Sequence, residues 1–187
     1  DRGDELFILT NADGAIDFKV VTAPLASPER ANWRDLIPYR EGVYVLDVEL
    51  YAGHMVRLER ANALPAIVIR DLKSGEEHAI AFDEAAYSLD TMGGYEFETT
   101  NLRFSYSSMT TPAEVYDYDM ATRARVLRKR QEIPSGHNPA DYVTTRIMAA
   151  SHDGALVPVS ILHRKDLVRD GRAPLLLYGY GSYGMAM

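Results

Sequence analysis

The sequence predicts a mainly β chain. Three observations carry that prediction: strand-like runs recur along most of the 187 residues, turn-forming clusters separate them at hairpin spacing, and no stretch of comparable length shows a helical period. Leu6-Phe7-Ile8-Leu9 reads as the first strand. The runs at 43–50, 55–60, 66–72, 102–107, 114–118 and 123–127 follow, each short and rich in β-branched or aromatic residues. In the run at 43–50, alternation puts Val43, Val45 and Asp47 on one face and Tyr44, Leu46, Val48 and Leu50 on the other. The punctuation is of hairpin type: Asn11-Ala12-Asp13-Gly14, Asp71-Leu72-Lys73-Ser74-Gly75-Glu76, Asp119-Met120-Ala121-Thr122 and Ser151-His152-Asp153-Gly154 each sit between strands. The expected arrangement is an antiparallel meander.

Two of the hairpins look alike. The runs ending in Asp71-Leu72 and Asp119-Met120 both place Asp plus a large apolar residue before a turn, 48 positions apart. A period of about 40–50 residues with four short strands per unit is the signature of propeller blades. A β-sandwich with irregular loops produces the same strands and turns, so periodicity alone leaves both architectures open.

Composition removes several functional classes. The chain has no cysteine, which excludes disulfide staples, cysteine-ligated zinc, iron–sulfur centres and a thiol nucleophile. With 20 Lys plus Arg against 27 Asp plus Glu the formal charge is −7. No basic cluster offers the electrostatic footprint of a nucleic-acid binder, and no apolar run approaches the roughly 18 residues of a membrane-spanning helix. The expectation is a soluble, cytoplasmic chain with neither nucleic acid nor membrane as partner, and with no cofactor or metal.

Ile133-Pro134-Ser135-Gly136-His137-Asn138-Pro139 interrupts any regular element and marks a boundary. Beyond it another hairpin is expected around His152-Asp153-Gly154, and then Leu175-Leu176-Leu177-Tyr178, apolar on both faces like a strand buried in a helix-covered sheet. The start at Asp1-Arg2-Gly3-Asp4-Glu5 and the stop inside a glycine-rich loop carry the expectation of a piece of a longer protein.

That loop has three chemical readings beside the plain one of a glycine turn with packed tyrosines. Gly179-Tyr180-Gly181-Ser182-Tyr183-Gly184 satisfies a dinucleotide phosphate-loop pattern, but the helix and the acidic residue about 20 positions on that the pattern needs have no room here. Ser182 as an elbow nucleophile fails at the first glycine, where Tyr180 stands. The third reading is an oxyanion-stabilising loop, for which a tyrosine hydroxyl, a neutral donor at pH 7, is suited. The histidines His54, His78, His137, His152 and His163 show no helical metal spacing. His152-Asp153 reads as a surface turn, and Asp117 and Asp119 as the solvated side of a hairpin.

Three segments, Leu102-Arg103-Phe104-Ser105-Tyr106-Ser107-Ser108-Met109-Thr110-Thr111-Pro112, then Ala150-Ser151-His152-Asp153-Gly154-Ala155-Leu156-Val157-Pro158-Val159-Ser160, and Pro174 followed by Leu175 through Gly184, stand out in this order. Together they resemble the prolyl oligopeptidase family of serine peptidases, and within it the oligopeptidase B branch. The resemblance implies the closing blades of a seven-bladed β-propeller followed by the first strands of an α/β-hydrolase domain. It assigns 1–133 to the propeller, 134–140 to a linker and 141–187 to the start of the peptidase domain. It implies that Tyr180 donates to the oxyanion and that Tyr183 walls the substrate pocket, with Ser182 not the nucleophile. Short peptides cut after Arg or Lys are the implied substrates. The nucleophilic serine, aspartate and histidine are expected after residue 187, so that this stretch is inactive without the remainder of the peptidase domain. A post-proline peptidase and a non-enzymatic propeller-like binding module are the alternatives.

Overall fold

The computed structural model describes residues 2–94 and 96–184. The first sheet contains β1 (Glu5–Thr10), β2 (Lys19–Pro24) and β3 (Arg34–Ile37). The second is the four-stranded meander β4 (Val43–Leu50), β5 (His54–Ala61), β6 (Leu64–Asp71) and β7 (Glu77–Ala79). The third repeats it with β8 (Tyr87–Thr91), β9 (Asn101–Ser108), β10 (Glu114–Asp119) and β11 (Arg125–Arg130). A two-stranded hairpin, β12 (Tyr142–Ala150) and β13 (Leu156–Arg164), follows. All pairings are antiparallel. Among the described residues no helix is long and apolar enough to cross a membrane.

The repeat seen in the sequence has a hydrogen-bonding cause. Asp71 closes β6 and Asp119 closes β10, each the third strand of its sheet. The Asp71 carboxylate accepts from the backbone N–H groups of Lys73 and Ser74 at 2.9 and 2.6 Å, and that of Asp119 from Ala121 and Thr122 at 3.0 and 2.7 Å. Both turns then close by a 2.8 Å bond onto the aspartate carbonyl, donated by Gly75 and by Arg123. The closing residue is left-handed in each, with φ of 76° at Gly75 and 64° at Arg123.

The core lies between sheets. Val56, Ile67 and Ile69 of the second sheet pack with Leu89, Leu102, Phe104, Tyr106 and Tyr118 of the third. Val20 and Ile37 of the first pack with Met55 of the second. Aromatic contacts reinforce the larger seam: Phe82 stacks on Tyr106 at 4.8 Å and meets Phe104 edge-on at 5.9 Å. Burying one such side chain contributes about 1.5–3 kcal/mol. Successive four-stranded meanders joined through their faces form a propeller's blade arrangement.

Two expectations change. The register of β4 against β5 shifts between Val45 and Asp47, so the simple alternation assumed for that strand is interrupted by a bulge. Leu175-Leu176-Leu177-Tyr178 forms no strand, and its leucines are 83–88% exposed. An all-apolar strand needs hydrogen-bonding neighbours and cover on both faces, and no described residue supplies either.

Candidate functional site

The tail ends in a single 3-10 turn, Ser182–Gly184, in which Tyr183 takes a left-handed φ of 58°. Tyr180 is 45% exposed and Tyr183 94%. Neither hydroxyl has a hydrogen-bond partner among the described residues. The context required for a phosphate loop or a nucleophile elbow, a strand running into a helix, is absent from the described residues. What the loop offers is two exposed phenols separated by Gly181 and Ser182.

Where the chain leaves the third sheet, polar contacts fix the exit. Glu84, in the connector between the second and third sheets, accepts from the hydroxyls of Tyr106, Thr110 and Thr111. Burial alone would disfavour its charge, but the hydroxyl of Ser108, with those of Thr111, Tyr106 and Thr110, holds its carboxyl below the ordinary range. The His137 Nε2 lies 2.6 Å from the Thr110 carbonyl, and its ring stacks on Tyr142 at 5.7 Å between centroids. A groove of about 610 Å³ opens beside this junction, lined by Thr111, Pro112, Arg130, Ile133, His137 and Pro139.

A second cleft, of about 160 Å³, joins His54, Asp71, Glu76, His78 and Arg123. The sequence reading missed it because the residues meet across strands: His54 pairs with Asp71, and His78 lies opposite Ile69. The His78 Nε2 is 3.0 Å from the Tyr118 hydroxyl, and Arg123 reaches Glu76 at 2.7 Å, so both contacts tie the second sheet to the third. Burial pushes the His78 imidazole below its ordinary value, and the nearby Arg123 adds to the shift. No group of three or more metal-ligating side chains suited to an ion occurs among the described residues.

Buried charge is more extensive than the sequence suggested. Asp117, expected to be solvated, is buried and accepts from Arg103 at 2.7 and 3.0 Å and from Arg128 at 2.6 Å. The Arg103 guanidinium, aided by Arg128, holds its carboxyl far below the usual range although burial opposes this. Arg57, 1% exposed, donates through Nε to Glu59 at 2.8 Å and through Nη1 and Nη2 to Glu77 at 3.0 and 2.9 Å. Arg40 also bonds Glu59, and Arg70 bonds Glu77. The expectation for His152 and Asp153 agrees with the structure: both are exposed in the β12–β13 turn, and the Asp153 carboxylate accepts from the Ala155 N–H.

Comparison with known proteins matches residues 1–131 to the family described as prolyl oligopeptidase, N-terminal beta-propeller domain. Dipeptidyl aminopeptidase BI of Pseudoxanthomonas mexicana is 45% identical over 99% of this chain and 25% of its own length. Protease 2 of Moraxella lacunata is 26% identical over 97% of this chain and 26% of its own. The closed form of oligopeptidase B from Trypanosoma brucei, with covalently bound antipain, superposes with a TM-score of 0.91 at 30% identity over 100% of this chain and 28% of that one. The chain therefore spans about a quarter of the length of these relatives.

Proposed function

The chain belongs to the prolyl oligopeptidase family, and on that premise we propose that it is the propeller-to-peptidase portion of a serine oligopeptidase that cuts short peptides after Arg or Lys through an acyl-enzyme. The observation that carries this reading is the Tyr180 hydroxyl, half exposed and without a partner among the described residues. Such a phenol is free to donate to the substrate carbonyl oxygen. As the nucleophile attacks, that oxygen gains charge and the neutral donor's bond strengthens, which stabilises the transition state more than the bound substrate. Tyr183, whose ring is uncovered, supplies an apolar wall for the side chain before the scissile bond.

In this reading the propeller belongs to residues 1–133, the linker to 134–140 and the start of the α/β-hydrolase domain to 141–187, within a seven-bladed, cytoplasmic enzyme. The nucleophile, general base and its orienting carboxylate lie after residue 187. A lone oxyanion donor cannot open an amide at a useful rate, so residues 1–187 by themselves are inactive. The 45% identity to a dipeptidyl aminopeptidase favours a second reading, release of dipeptides from a free amino end.

The test uses the full-length protein and three fluorogenic peptides: amino-blocked ending in Arg, the same with a free dipeptide amine, and blocked ending in Pro. Cleavage of the first, blocked by a serine-directed covalent inhibitor, supports the proposal. Turnover of the second alone selects the aminopeptidase reading, and turnover of the third alone the post-proline one. With the preferred peptide, Tyr180→Phe lowers kcat on the order of 10²-fold with little change in KM. An unchanged kcat removes Tyr180 from the oxyanion hole.

A further inference from the structure

We propose that Thr144 and Arg146 of β12 form a binding site for a carboxylate. Three buried side-chain polar atoms lack a partner among the described residues: the His54 Nδ1, the Thr144 Oγ1 and the Arg146 Nη2. Two of them stand two positions apart on one strand, where side chains share a face. Ser160 lies directly opposite Arg146 in the β12–β13 register and adds a hydroxyl to the same face. Arg146 makes no hydrogen bond or ion pair with any described residue, while the Tyr87 phenol of β8 is within its electrostatic reach.

Buried donors in native proteins almost always have acceptors, because an empty one forfeits its hydration without return. The missing group must accept from a planar cation and lie beside neighbouring hydroxyls. A carboxylate fits, since its two oxygens match the guanidinium fork while further lone pairs accept from Thr144 and Ser160. A phosphate dianion would call for several cations; this face of the hairpin carries Arg146 and, opposite Tyr142, Arg164, whose guanidinium is already bound to Asp166. The carboxylate can come from two sources. One is the free carboxyl end of a bound peptide, an assignment that rests on the peptidase reading. The other is an Asp or Glu side chain from the part of the protein outside residues 1–187.

The experiment compares full-length wild type with Arg146→Gln, Arg146→Lys and Thr144→Val, using short peptides identical except for a free or amidated carboxyl end. If the peptide is the source, wild type shows a KM about tenfold lower for the acid than for the amide. Arg146→Gln then abolishes that difference by raising KM for the acid alone, with kcat and melting temperature unchanged and Arg146→Lys intermediate. If a side chain is the source, Arg146→Gln and Thr144→Val lower the melting temperature by several degrees, and the acid-to-amide ratio is near one in every protein. Either pattern supports the site and identifies its occupant. Unaltered melting temperature together with an unaltered ratio overturns it. Failure of wild type to cut any peptide defeats the peptidase reading, and the melting comparison still decides the site.

Discussion

Replacing Arg57 by Met tests what holds the second sheet's ionic cluster in place. The side chain is about the right size and apolar, so packing is nearly conserved while three hydrogen bonds to Glu59 and Glu77 are lost. Removing one partner of a buried ion pair costs about 3–5 kcal/mol, because the other charge is left uncompensated. Here Glu59 keeps Arg40, and Glu77 keeps Arg70 and is 32% exposed, which places the expected cost near the lower end, about 3 kcal/mol. For a domain of this size that is a fall of about 6–12 °C in melting temperature. Arg57→Met with Glu59→Gln removes the stranded charge as well and recovers about half of the loss. A pH series adds a signed check. Burial disfavours the charged form of Glu77, but Arg57 and Arg70 overcome it and hold its carboxyl below the ordinary range. Its contribution is therefore present above the unfolded carboxylate pKa of about 4.3 and is lost as pH falls through the folded value. Arg57→Met flattens that acid limb. A melting temperature lowered by less than about 2 °C, or a double variant no more stable than the single one, refutes the account.

The left-handed turn position gives an opposed pair of predictions, read by urea denaturation. Gly75→Ala loses about 1 kcal/mol, since φ is 76° and the new Cβ lies 3.2 Å from the Arg70 guanidinium, whereas Arg123→Gly at the corresponding position gains about 0.5 kcal/mol by relieving strain against the loss of an exposed ion pair. His78, depressed by burial, stabilises the fold fully above the ordinary histidine value of about 6.5 and progressively less as pH falls from there to its folded value. Stability measured between pH 7.5 and 5 should decline less in His78→Phe than in wild type, and parallel curves would exclude the imidazole as the cause.

The meander could be read from the sequence because its third strands end in aspartates that cap their own turns; the repeat of Asp71 at Asp119 is a local signal with a local cause. Strands β3 and β8 were not foreseen, and β2 and β7 were implied only by the turns before them. Glu77–Ala79 and Tyr87–Thr91 are short and contain charged or polar residues, and their pairing is dictated by the longer strand alongside. Asp117 was misread for a related reason: alternation tells which residues share a face, but not that two arginines from flanking strands close over that face. The meeting of His54 with His78 depends on cross-strand register, which spacing along the chain does not encode. Tyr180 and Tyr183 were singled out by resemblance and by the chemistry of a phenol; no described residue pairs with or covers the leucine run before them, so alternation could not forecast its exposure.

Because Val56, Ile67 and Ile69 find their partners in the adjoining sheet, the fold's grip runs sideways from one meander to the next. Extra residues spliced into the tight Asp71 or Asp119 bends would sit at the rim and leave that grip untouched. The same insertion at Ile80 or Phe82, which ride in the joining strap between meanders, would pull two neighbours apart at once. Tolerance to lengthening, mapped along the chain, should thus dip at the straps and recover at the bends.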